Sequence, residues 1–411
     1  LALRLWWVLV VDPHPILGGG DGPFYLHLSE QVASGRGLLY YDQPVAVVGP
    51  VYPLYLATLQ RIAGTDNILL AARVGQAVIG SILVGIIFAV GRRWAGNHVG
   101  LVVSSLLAID LRFISEVGSI STETLLTAML ALSIWVYLEA IEKHTPGLWL
   151  LAGILLGVAT LTRAVVQFLP VVLLLNMWIL GLGWRVWRKC GLLVAGFAII
   201  VLPWVIRNWI VFGHPKIVQG AGAHFWMGAR DDGMAIGYDH MMEEVEPLRI
   251  GEGGSDRFNY VRSAVDSIME QPIQYMGLRM RRTVDAYLQP YGTVTVGDVF
   301  GSDSLKGALR PDSLPAVRAL VASPAFWPKL WIYLIHYGSI VLAVLYMIVR
   351  FRKWRKWMLW FLIIGYFSGV YAFLTVIPRY LFPIMPLYLL LASALLVDCG
   401  HRISDVRMNA S

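Results

Sequence analysis

The chain has 411 residues, of which 57% are hydrophobic and only 14% charged, with 16 Trp; soluble domains carry about 25% charge, so a soluble globular fold is excluded. The formal net charge of +7 is not the footprint of a nucleic-acid binder, because the basic residues fall between apolar spans instead of gathering on a polar face. The two cysteines, Cys190 and Cys399, each end an apolar segment beside a basic cluster, which argues against a structural disulfide.

The first apolar run, LALRLWWVLVV, is about half the roughly 20 residues that a span needs. It begins at Leu1 without Met and reads as a truncated first helix, not as a signal peptide. A polar stretch, 12–67, follows and contains GGGDGPFY at 18–25. In GPFYLHLSEQVASGRG, Phe24, Leu28 and Val32 recur at four-residue spacing, which predicts a short amphipathic helix lying at the membrane interface. A second short helix is expected after GPVYP, with Tyr52, Leu56, Leu59 and Ile62 on one face and Gly64 as its stop. Spans of membrane length then read at 68–91, 98–115, 121–141, 148–163, 164–182 and 190–211. After a second polar stretch, 212–328, three more read at 329–350, 357–376 and 380–399, and the N-terminal run brings the expectation to about ten helices. Within 212–328 a helix pair is expected, SDRFNYVRSAVDSIMEQ capped by Ser255 and PIQYMGLRMRRTVDAYLQ opened by Pro272. Its remainder, 290–328, is rich in Gly, Pro and Ser and reads as irregular structure or a flap.

Five connections are basic: GRRWAGNH at 91–98, EKH at 142–144, GWRVWRK at 183–189, RFRKWRKW at 350–357 and HRISDVR at 401–407. Alternating spans put all of them on one side, which the positive-inside rule makes cytoplasmic. Both polar stretches and the turns at 110–121, 163–164 and 377–380 then lie outside. Asp21, Asp110, Glu123, Arg163, Arg207, Asn208 and Arg379 thereby face one compartment and are expected to line one cavity.

Several motifs carry a resemblance in their order, spacing and common side. They are DGPFY (Asp21, Tyr25), the glycines Gly35 and Gly37, GPVYP with Tyr52, STETLL around Glu123, LTRAV around Arg163, PWVIRNWIVFG at 203–213 and PRYLFPIMPLYLL at 378–390. Together they resemble the polytopic GT-C membrane glycosyltransferases, similar to protein O-mannosyltransferases and lipid A aminoarabinose transferases, over nearly the whole chain. The resemblance implies an all-α polytopic fold of about ten transmembrane helices, with juxtamembrane helices in the first outer loop. It implies a transmembrane catalytic module at 1–211 that includes the outer loop 12–67, a large extracytoplasmic loop at 212–328, and C-terminal transmembrane helices at 329–411. The location implied is the inner (plasma) membrane, with the active site on its extracytoplasmic face. The activity implied is transfer of a sugar from a polyprenyl-phosphate donor to a hydroxyl of a glycan, glycolipid or protein acceptor, with inversion.

The residue chemistry is compatible with that implication. An inverting displacement needs one general base at the acceptor and positive charge at the departing phosphate. Asp21, among glycines, is the candidate base, expected to be partly buried. Arg73, Arg163 and Arg379 are the candidate phosphate ligands, because a guanidinium binds oxyanions with paired hydrogen bonds and stays charged near lipid. Tyr380 is placed to add a hydrogen bond; Tyr25, Tyr52, Glu123, Arg207 and Asn208 are further cavity candidates. The bland alternatives are a turn aspartate, a snorkelling Arg207, an N-terminal helix charge at Glu123 and a local Asp110–Arg112 pair.

A divalent ion is a possible cofactor. His14, His214, His224 and His240 share the outer loops with Asp21, Asp231, Asp232 and Asp239, but no ligand spacing stands out. Many relatives have two adjacent acids in the first loop, whereas Gly22 follows Asp21 here. Other function classes remain as alternatives: an oligosaccharide ligase using a lipid pyrophosphate, a secondary transporter or lipid flippase, and a scaffold with a receptor-like loop. Transport is disfavoured because no internal repeat is visible and the acids crowd the outer rim.

Overall fold

The computed structural model of the chain describes residues 1–13, 21–218, 221–229, 256–300, 318 and 321–410. The glycines at 18–20 and the expected cap Ser255 lie outside the described residues. α1 (Ala2–Trp6) runs on through a π-helical turn, Trp7–Val11. The two short helices expected in the first polar stretch are present as α2 (Asp21–Ala33) and α3 (Val51–Ala63). Between them a hairpin pairs β1 (Leu39–Tyr40) with β2 (Gln43–Pro44), with Tyr41 and Asp42 at positive φ; two left-handed residues are what a two-residue hairpin turn requires.

The N-terminal bundle continues with α4 (Ile68–Ala95), α5 (Asn97–Ile109), α6 (Leu111–Ser115), α7 (Glu123–Lys143), α8 (Pro146–Thr162), α9 (Leu169–Ile179) and α10 (Trp184–Phe212). The second polar stretch carries α11 (Ala221–Ala229), the expected pair α12 (Asp256–Glu270) and α13 (Pro272–Leu288), and α14 (Thr293–Phe300). This last helix stands in a segment expected to be irregular. The chain ends with α15 (Phe326–Val349), α16 (Trp354–Phe373) and α17 (Met385–Ala410).

Among the described residues six helices are long and apolar enough to cross a membrane, or seven if α5 and α6 form one span. The shorter apolar helices Ala2–Val11, Pro146–Thr162 and Ala164–Ile179 stand where the three remaining spans were expected. The chain is a multi-pass membrane protein. The expected straight span at 98–115 is instead bent by 57°. Asp110 causes the break: its extended backbone ends α5, and its side chain accepts the Arg112 N–H at 3.0 Å as the cap of α6. The inner face of α3 also differs from expectation, since Tyr52 and Leu56 are buried but Ile62 is exposed.

Helices approach closely where glycines remove side chains. A Cβ on Gly153 of α8 would meet the Leu193 carbonyl oxygen at 2.0 Å, and one on Gly196 of α10 the Leu150 carbonyl oxygen at 2.2 Å. Lipid gives no hydrophobic drive for helix pairing, so this backbone contact does the work instead. The span that includes α17 is the central element, with 83% of its most apolar window buried against 22% for that of α10.

The two ends of the bundle differ in chemistry. At one end the basic connections meet: Arg93 pairs with Glu142, Lys189 donates to the His144 carbonyl, Trp94 donates to the Lys356 carbonyl at 2.8 Å, and Arg350 pairs with Asp398 at 2.6 Å. At the other end lie both polar stretches, the loop end, where Arg207 of α10 reaches the Val45 carbonyl at 3.3 Å.

Gly153→Val is expected to destabilise the α8–α10 contact by about 1–3 kcal/mol through overpacking. Gly191→Ala, whose Cβ would meet nothing within 4 Å, is expected to be neutral; thermal unfolding followed by tryptophan fluorescence checks both.

Candidate active site

Glu123 is the first residue of α7 and is fully buried at the loop end. Two arginines from distant parts of the chain converge on it. Arg163 lies in the extended break after α8 and donates from Nη1 to Glu123 Oε1 at 2.6 Å. Arg379 sits in the 3₁₀ turn Pro378–Ile384 and donates from Nε to Oε1 and from Nη2 to Oε2, the latter at 3.0 Å. Both breaks are legible in sequence: Pro378 opens the turn, and Arg163 interrupts two apolar runs.

Arg379 is also the link to the first polar stretch. Its Nη1 lies 3.2 Å from Asp21 Oδ2, and Asp21 is the first residue of α2. The Asp21 side chain is 58% exposed. An exposed pair of this kind is worth about 0–1 kcal/mol. The Arg163 guanidinium lies 4.4 Å above the Tyr380 ring, which stacks on Tyr371 with centroids 4.7 Å apart. The cluster therefore joins Asp21, Glu123, Arg163, Arg379 and Tyr380.

Residues that sequence reasoning did not single out complete it. Glu116, buried in the 3₁₀ turn Glu116–Gly118, accepts from Ser121 and from the Tyr291 hydroxyl at 2.7 Å. Tyr291 stands just beyond α13, so this bond ties the second polar stretch to the floor of the site. No local signal in RFISEVGS marks Glu116, because its Tyr291 partner lies 175 residues away. Tyr25 is buried beside the cluster and packs edge-on against Tyr52 at 4.9 Å. Burial raises the Tyr25 pKa, and Asp21 adds to the effect, so its phenol stays protonated. His224 on α11 keeps a solvent-accessible edge, yet the surrounding protein and then Arg163 lower its pKa, with Asp21 opposing.

Other candidates go elsewhere. Arg73 is buried against Asp12 at 2.9 Å and the Gly118 carbonyl at 3.0 Å, where it anchors the N-terminal segment to α4. Tyr52 is fully buried and donates to Gln76 Oε1 at 3.3 Å. Asn208, inside α10, ties down the segment that follows the helix, donating to the Lys216 and Ile217 carbonyls at 2.8 and 3.2 Å, and Arg207 bonds Asn208 Oδ1 at 2.9 Å. Asp110 pairs with Arg112 at 2.6 Å, and Arg112 continues to His336 Nδ1 at 2.9 Å.

Among the described residues no three His, Cys, Asp or Glu side chains converge to hold a metal ion. The carboxylates of the site are already engaged by guanidinium or hydroxyl groups, a donor set that does not fit a divalent cation. His14, His240, Asp231, Asp232 and Asp239 lie outside the described residues.

Residues 42–209 match the family described as dolichyl-phosphate-mannose-protein mannosyltransferase. The whole chain superposes on the oligosaccharyltransferase of Archaeoglobus fulgidus in its apo form, with TM-score 0.54 and 14% identity, covering 100% of this chain and 52% of that one. It carries the GT-C fold. AglB from the same archaeon, in complex with an inhibitory peptide and a dolichol-phosphate, gives TM-score 0.52 and 14% identity over 100% of this chain and 51% of that one. The chain thus spans about half the length of these relatives. ArnT from Cupriavidus metallidurans, bound to undecaprenyl phosphate, is similar at TM-score 0.46 and 14% identity over 96% of this chain and 75% of that one. No curated protein matches the chain in sequence.

Glu123→Gln is expected to destabilise the fold by about 3–5 kcal/mol, because it removes the buried carboxylate to which two part-buried guanidiniums are bonded. Asp21→Asn, at an exposed pair, is expected to change stability by less than about 1 kcal/mol. Denaturant unfolding of the two variants in detergent checks this order.

Proposed function

We propose that the chain transfers a sugar from a polyprenyl-phosphate donor to a hydroxyl of an extracytoplasmic acceptor, with inversion at the anomeric carbon. The observation that carries the reading is Arg379 bridging the half-exposed Asp21 and the buried Glu123, with Arg163 alongside. Glu123 holds both guanidiniums in place, and the donor phosphate competes with Asp21 for Arg379. Once the phosphate has taken that cation, Asp21 is released as a free carboxylate at the acceptor side. It accepts the hydroxyl proton as the oxygen attacks the anomeric carbon and the bond from that carbon to the phosphate oxygen breaks. Arg379 and Arg163 stabilise the charge left on the phosphate, and Tyr380 keeps Arg163 oriented through its ring face.

The basic connections gathered at the opposite end support an extracytoplasmic site by the positive-inside rule, and the plasma membrane is the membrane we propose for it. Lipid-phosphate use is supported by the mannosyltransferase family match and by the dolichol-phosphate held by AglB. The likeness to an oligosaccharyltransferase favours a second reading, transfer of an oligosaccharide from a lipid pyrophosphate.

The test is to incubate purified protein and a hydroxyl acceptor (glycan, glycolipid or protein) with polyprenyl-phosphate monosaccharides and, separately, polyprenyl-pyrophosphate oligosaccharides, and to follow acceptor-dependent consumption of the lipid donor. Monosaccharide consumption is expected, with Asp21→Asn lowering kcat about 10²- to 10⁴-fold. Unchanged turnover in Asp21→Asn removes Asp21 from the base role, and consumption of the oligosaccharide donor alone selects the second reading.

A further inference from the structure

The helix α13 carries an apolar row that nothing in the described structure covers. Ile273, Met276, Met280, Val284 and Leu288 are all exposed, Ile273 at 86% and Met280 at 74%. Their spacing puts them on one face, while the exposed Gln274, Arg281 and Asp285 form a polar flank beside it. The opposite face is fixed to the bundle by Arg279, which donates to the Gly228 and Leu374 carbonyls at 2.7 and 2.9 Å, and by buried Ala286.

The hydrogen bonds along α13 give its depth. Near its start, the Tyr275 hydroxyl meets the Phe373 carbonyl at the loop end of α16. Near its finish, the Tyr287 hydroxyl meets Ser368, and the Tyr287 carbonyl meets His336 Nε2 within the span α15. Ser368 lies about 7.5 Å below Phe373 along α16 at 1.5 Å per residue. The helix therefore descends past the end of α16 to a depth within both α16 and α15. Its apolar row continues the exposed apolar surface of those spans, which includes Phe373 on α16 and Leu334 on α15.

From this descent and continuity we infer that α13 is seated in the bilayer leaflet at the loop end, its apolar row in the boundary between headgroups and acyl chains and its polar flank toward water. An interfacial helix of this kind buries its apolar face by about 5–10 Å. The seating has a consequence for the site. Tyr291, just past the end of α13, holds Glu116, so the leaflet supports the element that closes the floor of the charge cluster. The inference rests on the membrane-spanning character of the chain and is independent of any sugar chemistry.

The test uses the full chain in nanodiscs of phosphatidylcholine and phosphatidylglycerol, with exposed Cys399 replaced by Ser. A fluorophore is attached in turn to Met276→Cys, Met280→Cys, Gln274→Cys and Asp285→Cys, all at exposed positions. Nitroxide-labelled acyl chains are expected to quench positions 276 and 280 at least about two-fold more than 274 and 285, and aqueous iodide is expected to show the reverse order. Equal quenching of both faces by iodide would leave α13 in water and overturn the inference. Protection of 276 and 280 from both quenchers would assign the row to another part of the chain and overturn it equally. Because the readout is depth, a chain without transferase activity gives the same answer.

Discussion

A carboxylate buried at the end of an apolar helix costs several kcal/mol unless cations meet it in good geometry. Glu123 is met twice, by Arg163 and by Arg379, and these arginines come from opposite halves of the chain. The break after α8 and the 3₁₀ turn before α17 are positioned by this contact. Arg379 in turn reaches Asp21, so the placement of α2 also leads back to Glu123. Removing a lone exposed charge from this assembly changes little, whereas removing the buried carboxylate takes from Arg163 its ion-pair partner and leaves Arg379 with Asp21 alone, at the rim of a lipid environment.

The charge balance of the cluster explains how a protein can keep two arginines near lipid and still present them to an anion. Glu123 is permanent, being buried and bonded through both oxygens. Asp21 is exchangeable, being more than half exposed and held by a single pair. In the proposed function an incoming phosphate replaces the weak partner and leaves the strong one in place. The second polar stretch adds a boundary on another side, through Tyr291 to Glu116 and through α13 along the spans.

Much of this was legible in the sequence, for identifiable reasons. The spans follow from apolar length, and α2 and α3 follow from short apolar periods ended by Gly35 and Gly64, both at positive φ. Asp21, Glu123, Arg163 and Arg379 were expected on one side because the five basic connections fix the other, and the fold gathers these four. The same reasoning drew in Arg73, whose role depends on Asp12, 61 residues away. It drew in Tyr52 and Asn208 as well, which local polarity cannot separate from cavity residues. The bend at Asp110 was hidden because the flanking residues are as apolar as an unbroken span. Glu116 was missed because, beside the nearby Ser121 hydroxyl, the partner that ties it to the site is Tyr291, a long-range pairing without a sequence pattern.

The competition between Asp21 and the donor phosphate for Arg379 is tested most directly by lipid binding without turnover. Native mass spectrometry of the wild type, Asp21→Asn and Arg379→Gln, each titrated with a polyprenyl phosphate, measures it. The expected result is tighter binding by Asp21→Asn than by wild type and weaker binding by Arg379→Gln. Binding that is unchanged or weakened by Asp21→Asn would contradict a shared cation and separate Asp21 from the phosphate site.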